Sequence, residues 1–156
     1  MNLLGSPTRA VVAHIGVGRK ACSVFTVLLL SILLSAQQAY QPKFRGDPAR
    51  SESEAAALGY TRVLRGAEGA YKKKHGEYAS SLQALVGQVS FTKRMINPDR
   101  GDYKARFKGT REGFSLWMDA KPQPGPQHRS FFTDERGAIR AEEDKAAGPE
   151  SPIAKP

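Results

Sequence analysis

Few residues in this chain of 156 have the types and spacing to do chemistry. His128, Ser130 and Asp134 supply the three side chains of a hydrolase triad close together in sequence. A strand through them keeps those side chains apart, and nothing resembles the sharp turn that presents a nucleophilic serine. Asp134 is better placed as the first residue of a turn ending before or at Gly137. His75 follows Lys72, Lys73 and Lys74, where the end of a helix favours cations. Glu142, Glu143 and Asp144 read as a solvated acidic cluster. No phosphate loop, zinc spacing or EF-hand pattern is present. The expectation is a protein with no catalytic residues, no metal and no cofactor.

One group of residues invites a binding role. Lys104, Arg106 and Lys108 alternate along a single strand face, and Trp117 falls on the same face of the next strand. Lys93, Arg94, Arg100 and Arg111 flank them, opposed by Asp99, Asp102 and Glu112. Cations beside an aromatic ring suit phosphate contact and base stacking without sequence preference. The candidate anion-binding face is therefore Lys104, Arg106, Lys108, Trp117, Lys93, Arg94 and Arg111. Its partner would be nucleic acid, an anionic envelope polymer or an acidic protein. The plainer reading is a solvated sheet face kept soluble by its charge.

These residues need elements to position them. Ser51 and Glu54 have capping-box spacing, and Ala56, Tyr60, Val63, Ala67 and Ala70 follow at alternating intervals of four and three, with Leu64 and Tyr71 beside them. That pattern predicts an amphipathic helix, with Glu68 and Lys72 at ion-pair spacing and Gly76 as its left-handed cap. A short helix is expected over residues 81–86, capped by Ser80 and stopped by Gly87. Residues 102–108 and 114–120 alternate strictly between apolar and polar, which predicts a hairpin with one buried and one wet face. With Gly109 opposite Phe114, Arg106 falls opposite Trp117 and Lys104 opposite Asp119. Residues 130–133 and 138–140 form a second hairpin. The predicted fold class is α+β, one long N-terminal helix packed on a three- to four-stranded antiparallel sheet. The helix should lay Val63, Leu64, Ala67 and Tyr71 on Phe107, Leu116 and Met118.

The start of the chain addresses this domain. Residues 21–36 are an uncharged apolar run preceded by Arg19 and Lys20. The run would span about 24 Å as a helix, short of a hydrocarbon core of about 30 Å. It reads as a secretory signal or a retained N-terminal anchor within residues 1–39. Residues 40–50 read as a linker, 51–140 as the folded domain and 141–156 as a disordered tail. The chain carries a net charge of +9 with 24 Lys and Arg against 15 Asp and Glu. Only three of those cations precede residue 40, so the remainder is basic as well. The single cysteine, Cys22, lies in the apolar run, so no disulfide staples the domain. The expected location is the periplasm or cell envelope, with membrane contact only through residues 21–36 if they are retained.

The stretch ESEAAALGYTRVLRGAEGAYKKKHGEYASSLQAL, the strands YKARFKG and FSLWMDAKP, and the closing SFFTDERGAIR after Arg129 together resemble the head domain of type IV pilins and type II secretion pseudopilins. The resemblance covers residues 52–140. It implies a helix-on-sheet head with no catalytic residues and no obligatory cofactor, and partners among pilus or secretion-system components. The apolar run lacks both the processing site of a prepilin and its early glutamate, so the resemblance is to a pilin-like head behind an ordinary signal.

Overall fold

The computed structural model describes residues 40–156; the apolar run at 21–36 lies outside the described residues. Helix α1 spans Glu52–His75. Ser51 at its N-cap is extended, and its Oγ accepts the Glu54 N–H at 3.1 Å. Glu52 and Glu54 fill the first turn, and four basic residues fill the last. Both ends thus match the helix dipole. Gly76, at φ +79°, donates its N–H to Lys72 O at 2.8 Å and ends the helix.

Five antiparallel strands follow in sequence order: β1 (Asp99–Arg100), β2 (Tyr103–Gly109), β3 (Phe114–Ala120), β4 (Ser130–Asp134) and β5 (Ile139–Glu142). The chain is α+β, one helix with a five-stranded antiparallel sheet. The sheet exceeds the expected count because β1 is only two residues long, too short to show a period. The central register is the one alternation requires: Gly109 faces Phe114, Arg106 faces Trp117 and Lys104 faces Asp119. Gly109 is needed where it stands, because a Cβ there would lie 2.0 Å from the Ala79 carbonyl oxygen.

The core joins Leu58, Leu64 and Ala67 of α1 to Tyr103, Leu116, Met118 and Phe131 of the sheet, with Val63, Tyr71 and Phe107 partly buried around them. The buried stripe is rotated from the expected one. Ala56 is exposed and Thr61 and Glu68 are buried. Both polar residues are accommodated through the backbone: Thr61 Oγ1 donates to Ala57 O at 2.9 Å, and Glu68 Oε2 accepts the Ala79 N–H at 3.0 Å. The expected Glu68–Lys72 pair is therefore absent. Lys72 Nζ instead lies 4.2 Å from the centre of the Tyr78 ring.

Three other expectations change. The short helix at 81–86 is a 3-10 turn over Leu82–Leu85, with Ser81 at its N-cap and no side-chain cap. Residues 40–50 are irregular, yet Asp47 and Ala49 are buried. Asp47 Oδ1 accepts the Arg62 Nη2 proton at 3.2 Å, and Tyr40 donates its hydroxyl to Oδ2 at 3.3 Å. Residues 141–156, expected as a disordered tail, fold back along β5. Ala141 N–H donates to Pro152 O and Ala154 N–H to Ile139 O, both at 2.9 Å. Ala147 and Ser151 are buried. Backbone pairing at an otherwise open strand edge orders this segment, and it needs no large side chain.

Candidate functional site

The outer face of the sheet, away from α1, carries the sequence-predicted stripe. Lys104, Arg106 and Lys108 project from β2 and are exposed, and Trp117 is half-buried beside them on β3. The Arg106 guanidinium carbon lies 5.0 Å from the Trp117 ring centre. Trp117 in turn packs on Phe132 of β4, with ring centres 5.4 Å apart. The expected pairing of Lys104 with Asp119 gives way to a diagonal one. Arg106 Nη2 donates to Asp119 Oδ1 at 3.0 Å, and its Nε donates to Oδ2. The planar guanidinium reaches one position along the neighbouring strand and engages both carboxylate oxygens, which an ammonium cannot do.

The flanking cations do not join this stripe. Lys93 and Arg94 lie on a 3-10 turn over Lys93–Ile96. That turn packs against the helix side of the sheet, where Tyr60 of α1 donates its hydroxyl to Met95 O at 3.0 Å. Arg100 stacks 4.5 Å from the Tyr60 ring centre and donates to Arg94 O. Arg111 sits in the β2–β3 turn and pairs with Glu77 at 3.4 Å. The stripe also has acidic neighbours: Glu143 and Asp144 line, with Arg106, Asp119, His128 and Ser130, a cavity of about 360 Å³.

His128, Ser130 and Asp134 do not meet. Ser130 Oγ accepts the Ala120 N–H, and Asp134 Oδ1 accepts the Arg136 N–H in the turn before Gly137. His128 joins a different set. Its Nδ1 lies 3.4 Å from Ser51 Oγ, and its Nε2 lies 3.4 Å from Asp102 Oδ2. Ser53 Oγ donates to the same Asp102 oxygen, and this bond foremost holds the Asp102 carboxyl below its ordinary range. The His128 ring stacks on Tyr103. Hydroxyl, imidazole and carboxylate thus fall in line at the start of α1, but Ser51 Oγ already caps the helix. Both imidazole contacts exceed the 2.6–3.2 Å over which a general base takes a proton. The cluster ties α1 to the β1–β2 turn.

Beside it lies a buried ion pair. Arg129 Nη2 donates to Glu54 Oε2 at 2.8 Å, and Arg129 Nε and N–H donate to Oε1 at 3.2 and 3.3 Å. Arg50 N–H donates to Glu54 Oε2 at 2.8 Å, so the glutamate serves the residue before the N-cap instead of completing a capping box. Burial raises the Glu54 carboxyl, but the Arg129 guanidinium and the Arg50 N–H outweigh it and hold the pKa below the ordinary value. Ser51, Glu54, Pro124, Pro126, His128 and Arg129 border a cavity of about 540 Å³.

Sequence reasoning missed Glu54–Arg129, Ser51–His128–Asp102 and the burial of Glu68. The first two join residues from about twenty-five to almost eighty positions apart, and no periodicity reports such a pairing. No cluster of His, Cys, Asp and Glu among the described residues could hold a metal ion. No family model, curated protein or solved structure matches this chain.

Proposed function

We propose that this chain is an exported, non-enzymatic envelope protein whose residues 40–156 form a pilin-like head, acting by surface contact as an accessory to a secretion or type IV pilus system. The observation that carries this reading is the architecture: one helix laid on a sequential antiparallel sheet, placed after a basic-flanked apolar run. Its polar clusters support it, because Ser51, His128, Asp102, Glu54 and Arg129 are all engaged in holding elements together. The test is fractionation of cells expressing the full chain, with mass spectrometry of the protein's N-terminus. Recovery in the periplasm with a start near Tyr40, or in the membrane with residues 21–36 retained, supports the reading. Recovery in the cytoplasm with Met1 intact removes it.

A second reading, an exported module that binds a polyanion, draws on one observation. Lys104 and Lys108 are exposed on either side of the Arg106–Trp117 contact and make no ion pair among the described residues.

A further inference from the structure

The loop between α1 and β1 presents an apolar tip that the domain does not use. Leu85 and Phe91 are buried and plug both sides of the loop into the core. Between them, Gly87 N–H donates to Phe91 O at 3.0 Å, Gln88 N–H to Leu85 O at 3.0 Å and Phe91 N–H to Gln88 O at 2.9 Å. The tip is thus held by its own backbone. From that frame Val86 and Val89 project, 40% and 71% exposed. Val89 has φ +49° and is the one non-glycine residue with positive φ among the described residues. A β-branched side chain is a poor occupant of that region, where asparagine or glycine sits more easily. The domain therefore holds an aliphatic side chain in water in a conformation that disfavours it, and gains no packing from it.

The charge around the tip identifies its occupant. Residues 78–98 contain no aspartate or glutamate, and the exposed Lys93 and Arg94 follow the tip on the next turn. Two valines are far too small for a stable protein interface, which buries roughly 1,200 Å² or more. Shallow aliphatic insertion beside cations is the pattern of contact with an anionic lipid surface. We propose that Val86 and Val89 dip into an anionic membrane surface while Lys93 and Arg94 meet its headgroups. The proposal rests on the reading that residues 21–36 hold the chain at a membrane.

The experiment uses the full chain in a Cys22→Ser background, with Ser90→Cys carrying an environment-sensitive fluorophore. The protein is reconstituted into vesicles of phosphatidylcholine alone or mixed with phosphatidylglycerol, and flotation is measured in parallel. The expected result is flotation with both, and a blue-shifted tip, quenched by brominated lipid, only on the anionic vesicles. Lys93→Gln with Arg94→Gln should lower the docked-to-undocked ratio by roughly thirtyfold, the combined effect of two cations at such a surface. Val86→Ser with Val89→Asn should abolish the shift while leaving the melting temperature unchanged or higher. A floating chain whose tip stays in water, or shifts equally on both vesicles, overturns the docking and leaves the anchor standing. A chain that does not float overturns the anchor and the docking together. A concentration-dependent shift without vesicles assigns the tip to a second copy and overturns the lipid contact.

Discussion

Glu68 occupies a helix position where an ion pair with Lys72 is the simplest expectation, yet its carboxyl turns inward and is fully buried. One oxygen takes the Ala79 N–H, and Oε1 has no partner. Burial pushes the pKa from its ordinary 4.5 to about 6. The folded state then binds the proton more tightly than the unfolded state does. Its contribution to stability is full below pH 4.5 and is lost as the pH climbs through about 6, by about 2 kcal/mol in all. Glu68→Gln should remove that dependence. Urea denaturation should show the variant gaining about 2 kcal/mol on the wild type between pH 4.5 and 7. A difference that does not move with pH shows a carboxylate that stays ionised in the fold. Glu54 works in the opposite sense, because Arg129 favours its charged form. Arg129→Ala strands that charge and should cost about 3–5 kcal/mol. Arg129→Met with Glu54→Gln should cost markedly less. Equal losses from the single and double variants would mean that packing, not charge, is what Arg129 supplies.

At the scale of elements, the β2–β3 hairpin separates a stabilising face from a charged one. The inner face carries Tyr103, Leu116 and Met118 into the core, whereas the outer contacts are exposed and weak. The Arg106–Trp117 contact is worth about 0.5–1 kcal/mol, and the exposed Arg106–Asp119 pair about 0–1 kcal/mol. Reversing Lys104, Arg106 and Lys108 to glutamate should therefore leave the melting temperature nearly unchanged. If the face binds a polyanion, wild-type protein should be retained on heparin or DNA at low salt and released steeply as salt rises, and the triple variant should not be retained. Wild-type protein that flows through at low salt leaves a solvated face alone. Lys93, Arg94 and Arg111 should contribute little to any such retention, because the structure sets them on other surfaces.

For the whole molecule, the core among the described residues joins α1 to the sheet within residues 40–156, which also bury Asp47 and Ala49. Deleting residues 1–36 should thus keep the protein in the cytoplasm while leaving it soluble and cooperatively folded. Far-UV circular dichroism and a single sigmoidal melt would record this. An insoluble or unfolded product would make the apolar run part of the fold and count against its role as a signal or anchor. The folded-back tail belongs to this scale as well. Arg140 Nη1 donates to Ser151 O and Ser151 Oγ donates to Glu142 Oε1, so residues beyond 141 close the sheet edge that would otherwise invite pairing between copies.

The sequence by itself determined whatever depends on near neighbours. The limits of α1 follow from Ser51 and Gly76, and the hairpin register from alternation over two seven-residue strands. Each is set within a few residues of chain, where capping and the two-residue period act directly. Only the tertiary structure decided which polar groups are buried and what they meet. Thr61 and Glu68 look like solvent positions until Ala57 and Ala79 offer them backbone partners. Arg129 looks like an ordinary surface cation until the fold brings Glu54 to it across 75 residues. Tail residues without large apolar side chains show no pattern, because their order comes from backbone hydrogen bonds to β5, which any sequence but proline can make. The exposed valines show the same limit from the other side. Val86 and Val89 are of the same apolar type as Leu85 and Phe91, and only the fold buries the latter two and leaves the valines outside.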